Sequence, residues 1–235
     1  GHKVYVAHGY KDIIKDCENS LKRLGTDYID IYYTHNPVRD PAWLEKYPVE
    51  DTVRALMDLK KAGKIRCIGS SNVDPEHIEA YMACGCEIDI IQRKYTILAR
   101  GVEENILPIC EKYGMTFHAY APIERGLLTG TVTKDRVVPP GDAREDQAWW
   151  APDKLPHAID FVDGLKDICE EYHCTQTDLA IAFIRHNRPY VNVIYGARKI
   201  KHLEAGAATV NVTLRDDTVA EIRRRAEELE AKYGG

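Results

Sequence analysis

His35 closes the run Tyr28-Ile29-Asp30-Ile31-Tyr32-Tyr33-Thr34, and its ring stands at the mouth of a segment apolar enough to be buried. A neutral imidazole at the end of such a run can donate a hydrogen bond to an oxygen on which negative charge develops. Taken alone, a histidine in that place serves as readily as a structural group satisfied by backbone. His8 and His118 are the other histidines near strand-like runs, but three histidines without a matching carboxylate make an incomplete metal-ligand set. Cys84-Gly85-Cys86 is equally thin as a metal site, because structural zinc sites gather four clustered ligands. Arg93 and Lys94 could hold an acidic substrate, with a solvated pair as the plainer reading.

The elements that must position these groups alternate. Runs rich in Val, Ile and Tyr at 4–7, 28–35, 65–71, 87–92, 116–120 and 191–197 read as strands. Helical periodicity fills 11–24, 50–62, 75–83, 102–113, 157–173, 177–187, 200–207 and 216–232. Such alternation implies parallel strands joined by crossover helices. Gly63 stops the helix before it, and Asp74-Pro75 reads as an N-cap followed by a first-turn proline. From Thr129 to Pro156 the rhythm breaks into a polar, proline-rich stretch holding Trp149 and Trp150, which reads as a lid or binding loop whose tryptophans need something to pack against.

The chain has 235 residues, 44% hydrophobic and 29% charged, with a net charge of -5. It can bury a large core, and its dispersed cations leave no footprint for nucleic acid or an anionic membrane. No apolar run reaches the length of a membrane span, and the start GHKVYVAHGY lacks signal-peptide form. Seven cysteines, odd in number and placed mostly within predicted elements, read as reduced buried thiols. These features fit a cytoplasmic protein with small-molecule partners.

GTDYIDIYYTHNP, GKIRCIGSSNVDPEHIEA, IIQRKYTILARGVEENILPICEKYGMTFHAYAPIERGLLTG and VIYGARKIKHLEA occur in the order and spacing of one family. The chain, from Lys3 to Leu203, resembles the aldo-keto reductases. The resemblance implies an α/β fold of the (β/α)8 TIM-barrel type, its active site at the C-terminal strand ends, and hydride transfer from NADPH to a small carbonyl substrate. By the same resemblance His35 would hydrogen-bond that carbonyl. Ser71, Asn72 and Gln92 would hold the nicotinamide carboxamide, which needs donors and acceptors together. Tyr120 would stack on the nicotinamide ring. Ala121, Pro122, Gly126, Leu128 and Gly130 match the turn beneath the pyrophosphate. Gly196, Ala197 and Arg198 match a phosphate-binding GAR at a helix start, where Arg198, helped by Lys199 or Lys201, would face a 2′-phosphate and favour NADPH over NADH.

Against the family pattern, residues 1–235 read as a single barrel domain holding the third to eighth β/α units and a C-terminal helix. The first two units, with the family's catalytic aspartate and proton-donating tyrosine, have no counterpart, so little turnover is expected. Where the family ends its third strand in lysine, the sequence shows His8, with Lys11 further on. His8 is the first choice as replacement. His202 and Gly206 depart from the Gln and Asn that reach the adenine in relatives. Two open barrel edges would favour association of copies. The rival reading is a non-catalytic nucleotide sensor or interaction protein on the same scaffold.

Overall fold

The computed structural model describes residues 9–197 and 199–234. The expected strand at 4–7, His8 and Arg198 lie outside the described residues. The chain packs as two compact units. The first takes the described residues through Arg93 together with Val102–His118, and the second takes Lys94–Gly101 with the residues from Ala119 onward.

The first unit begins with α1 (Tyr10–Leu24), which buries Ile13, Cys17 and Leu21 on one face and ends at Gly25 in the left-handed region. β1 (Ile29–Thr34) follows, leaving His35 just past the strand. Residues 36–48 hold a helix the periodicity did not show, α2 (Pro41–Lys46), whose cue is local: Asp40 accepts from the Ala42 N–H and Pro41 occupies the first turn. Then come α3 (Val49–Lys61), β2 (Ile65–Ser71), α4 (Pro75–Ala83) and β3 (Ile88–Lys94). The single helix expected at 102–113 is two, α5 (Val102–Asn105) and α6 (Leu107–Tyr113), because Pro108 has no N–H with which to continue the ladder. β4 (Thr116–Tyr120) completes the set, and the order within this unit is β1-β2-β3-β4, with β1 to β3 paired parallel.

One face of this sheet is sealed by helices. Ile68, Ser70, Ile91 and Phe117 are buried there, along with Leu56, Leu59 and Ile78 from α3 and α4. Tyr33, Gln92 and His118, on alternating positions of their strands, are only half-buried. Gly69 is required where it stands: a Cβ there would overlap the Tyr33 ring opposite it.

The second unit holds the end of β4, and beside it β5 (Val191–Val193), where the Ile194 N–H donates to the Ala119 carbonyl at 2.8 Å. β5 is shorter than the expected 191–197, so Gly196 and Ala197 lie in coil. Short 3-10 turns at Glu124–Thr129 and Ala148–Trp150 flank the long loop. The helix expected at 157–173 is α7 (Leu155–Asp163) and α8 (Lys166–Glu171), parted at Gly164. α9 (Gln176–Arg185) opens with a Thr175/Asp178 capping box, α10 spans Ile200–Ala208, and α11 (Asp216–Tyr233) buries Val219, Ile222, Ala226 and Leu229.

Candidate functional site

The strand ends of the first unit gather His35, Ser71, Asn72 and Gln92 around one backbone turn. Asn72 sits just after β2 with φ 57°, a left-handed conformation that asparagine tolerates better than most side chains. Its N–H donates to the Gln92 carbonyl at 3.0 Å. Its side-chain amide donates to the His35 carbonyl at 2.8 Å and to the Asn36 side chain at 3.0 Å. The peptide that carries His35 is therefore tied to the end of β2. Its ring is exposed.

Charged groups hold this turn from outside. Arg39 reaches the Asn72 carbonyl at 2.5 Å and pairs with Asp74. Arg93 donates to the Val73 carbonyl at 2.7 Å and to Asp74 at 2.9 Å. Hydrogen bonding from Arg39, then from Arg93, holds the Asp74 carboxyl below its usual value against the opposing effect of partial burial. Two expectations are corrected. Arg93 is no solvated cation, and Asp74, although at the N-cap position of α4, makes no side-chain capping bond because the arginines take its carboxylate. Strain at a left-handed non-glycine residue persists only where surrounding bonds over-determine it, and here five of them do.

Ser71 lies opposite Gln92 and donates to its amide oxygen at 3.2 Å, so the paired donors and acceptors expected for a carboxamide are brought together. Behind them Tyr33 and His118 meet at 2.8 Å, hydroxyl to Nδ1. Among the described residues no three histidine, cysteine or acidic side chains converge as a metal site.

The second unit carries the remaining expected residues. Tyr120, at the end of β4, accepts the Tyr95 N–H at 3.4 Å and is half-buried. Ala121 follows with φ 53°, Pro122 and Leu128 are buried, and Glu124, Arg125 and Gly126 form a left-handed run with φ of 49°, 54° and 102°. Gly130, with φ 71°, faces the Gln176 amide so closely that a Cβ would overlap it. That local reason accounts for its glycine without any ligand.

Glu124, which sequence patterning passed over, is the hub of this turn. Its side chain is 1% exposed; it accepts from Lys94 at 2.5 Å and from Thr96 at 2.9 Å. Lys94 also reaches Gln147 at 3.0 Å, and the Trp150 indole donates to the Glu124 carbonyl at 3.1 Å. Lys94 is thus a structural cation and not part of a solvated pair. Trp149 and Trp150 turn inward, 7% and 3% exposed, so they anchor the long loop. Trp43 is 48% exposed and stacks on Tyr47. The cue to Glu124 was Lys94 itself, a charge at the end of a buried strand. All seven cysteines are unpaired, Cys17, Cys86, Cys110 and Cys169 being buried.

Gly196 and Ala197 are exposed after β5. No helix among the described residues is long and apolar enough to cross a membrane.

Polar side chains at the strand ends of a parallel α/β sheet have known counterparts. The model of the Aldo/keto reductase family matches residues 2–227. The chain is 40% identical over 220 residues to the NADH-specific methylglyoxal reductase of Escherichia coli, covering 94% of this chain and 66% of that protein. It is 34% identical over 226 residues to an aldo-keto reductase of Strobilurus tenacellus, covering 94% and 65% respectively. Among solved structures, the glycerol dehydrogenase of Gluconobacter oxydans superposes with a TM-score of 0.85 at 26% identity, over 98% of this chain and 67% of that one. The chain therefore spans just under two thirds of the length of these curated relatives. A family match over nearly all its residues, joined to a parallel sheet with the expected polar groups at its strand ends, places the chain in the aldo-keto reductase family of TIM-barrel oxidoreductases.

Proposed function

We propose that this chain belongs to an oxidoreductase that transfers hydride between a nicotinamide dinucleotide and a small carbonyl compound. The observation that carries the reading is the Ser71–Gln92 pair beside the Asn72 turn, a built set of side-chain donors and acceptors at adjacent strand ends. Its chemistry fits a primary carboxamide, which carries two donors and one acceptor. The dinucleotide supplies the hydride. Asn72 fixes the backbone at His35 and Arg39, Arg93 and Asp74 keep that turn from relaxing. His35 then orients the substrate carbonyl and donates a hydrogen bond to its oxygen as charge builds there, and solvent supplies the proton that completes the alcohol. Tyr120 offers a ring face for stacking, and Ala121, Pro122, Gly126, Leu128 and Gly130 shape the turn proposed to run under the pyrophosphate. Gly196 and Ala197 lead into Arg198 and Lys199, a sequence that favours the 2′-phosphate of NADPH. The Escherichia coli relative is named for NADH, so both forms belong in the test.

Purified chain is mixed with NADH or NADPH and a panel of small aldehydes and ketones, methylglyoxal included, and loss of reduced-nicotinamide absorbance is followed. Substrate-dependent oxidation that falls at least tenfold in His35→Ala supports the reading. Dinucleotide binding with no turnover of any carbonyl would favour a nucleotide sensor on the same scaffold, and no binding at all would refute both.

A further inference from the structure

A cavity of about 350 Å³ opens in the first unit where α2, α3 and α4 meet, and the proposed hydride chemistry does not use it. That volume lies at the lower end of the range in which proteins hold small ligands. The cavity follows from local sequence. α2 buries none of its side chains, so Leu44, although apolar, stays largely exposed in the wall. α4 turns Glu76, His77, Ala80 and Tyr81 to the same space, a spacing that puts them on one helix face, and the single methyl of Ala80 leaves room there. Pro37, Val38, Pro48 and Val49 complete an apolar lining. The Tyr47 ring, also in the wall, is braced by Trp43 at 5.6 Å.

The polar groups of this lining are acceptors in search of a donor. Glu50 stands in the first turn of α3 and Glu76 in the first turn of α4, and both line the cavity. Carboxylates in those places suit the helix dipoles, which accounts for their position on the helices and leaves their oxygens uncommitted. Among the described residues neither glutamate forms an ion pair or a side-chain hydrogen bond. Lys46 does not serve them: its ammonium lies over the Tyr47 ring at 5.0 Å and the Trp43 ring at 5.8 Å. His77 Nδ1 is sealed from solvent without a hydrogen-bond partner. The Asp74 carboxylate lies 3.6 Å from it, too far for a hydrogen bond, and is held by Arg39 and Arg93.

We infer that this cavity is a binding site for a small primary amine with an apolar body, its ammonium group held by Glu50 and Glu76 and its body against Val38, Leu44 and Ala80. An ammonium has three donors and no acceptor, and ionised carboxylates only accept, so the two chemistries match. Hydrogen bonds between charged partners are the stronger ones, and the apolar wall removes the ligand's body from water. A neutral molecule of the same shape gains the wall and loses the charge-assisted bonds. An anion meets two like charges. The site shares no lining residue with His35, Ser71, Asn72 or Gln92, so it stands apart from the proposed dinucleotide site.

The test titrates the full chain with phenethylamine, cationic at neutral pH, and with two probes that share its phenyl body: phenylethanol, which is uncharged, and phenylpropionate, which is an anion. Backbone amide chemical shifts show where each probe lands. Phenethylamine should bind saturably and move the amides of Val38, Leu44, Val49 and Ala80. Phenylethanol should bind about tenfold more weakly, the worth of a hydrogen bond to a charged group, and phenylpropionate more weakly still. Glu50→Gln/Glu76→Gln changes two exposed side chains and should keep the fold. It should bring phenethylamine down to the affinity of phenylethanol, whose own binding should not change. Ala80→Leu fills the cavity and should weaken both probes. A folded parent that does not bind phenethylamine, equal or better binding of the alcohol or the anion, or shifts away from the cavity would each overturn the inference. So would undiminished phenethylamine binding in the double glutamine variant or in Ala80→Leu. No dinucleotide enters the readout, so failure here leaves the proposed function standing.

Discussion

Replacing Lys94 by methionine should damage the second unit more than replacing its partner Glu124 by glutamine, although both delete one charge of the same ion pair. The Glu124 side chain is 1% exposed and the Lys94 side chain 28%. Losing Lys94 leaves a carboxylate sealed from water with Thr96 as its remaining side-chain donor. Breaking a fully buried pair costs about 3–5 kcal/mol; with Lys94 at the edge of solvent, we expect about 2–3 kcal/mol. Glu124→Gln keeps an acceptor for Thr96 and leaves an ammonium that water and Gln147 still reach, so the expected cost is about 1 kcal/mol. For a chain of 235 residues each kcal/mol moves the melting midpoint by roughly 2–4 °C. The assay is thermal and urea unfolding followed by tryptophan fluorescence, since Trp150 bonds the Glu124 carbonyl. Lys94→Met/Glu124→Gln should be less destabilised than Lys94→Met alone, because the second change removes the stranded charge. A Glu124→Gln loss equal to or above that of Lys94→Met, or strict additivity in the double variant, would refute the reasoning.

Asn72→Ala should cost more stability than Asn72→Gly, by about 1 kcal/mol, because both lose the bonds to His35 and Asn36 but only alanine is strained at φ 57°; denaturant titration measures the difference. Gly69→Ala should destabilise by about 1–3 kcal/mol through overlap with the Tyr33 ring, and Gly69→Ala/Tyr33→Leu should recover part of it in the same titration. Asp74 supplies a pH signature. Its folded pKa lies below the usual 3.8, so its stabilisation is complete above that value and is lost as pH falls through the lowered folded value. Asp74→Asn should therefore be less stable than the parent at neutral pH, and the two should converge in acid, as read from melting midpoints across a pH series.

Alternation of Val- and Ile-rich runs with amphipathic stretches made the parallel sheet legible, because burial on both faces forces that pattern. Ser71, Asn72 and Gln92 were legible as a group through the resemblance of GSSN and IIQRKY to aldo-keto reductase motifs. Interactions across long separations were not. Arg93 and Lys94 looked like a surface pair, and only folding brings Asp74 to one and Glu124 to the other. Tyr33 and His118 were invisible as a pair for the same reason. Helix breaks at Pro108 and Gly164 were locally readable, but the surrounding apolar periodicity outweighed them. The Trp149–Trp150 pair was read as needing a packing surface, and its inward turn followed a carbonyl of Glu124 that no pattern of residue types marks.

The account turns on a dinucleotide site built around Gln92. Titrating the parent chain and Gln92→Leu with NADPH and NADH, using energy transfer from the tryptophans to the reduced nicotinamide, tests it most directly. The account predicts saturable binding by the parent and a loss of about tenfold or more in the variant, while both remain folded with equal ADP-ribose affinity. A folded parent that binds neither dinucleotide, or a variant that binds as well as the parent, would contradict it.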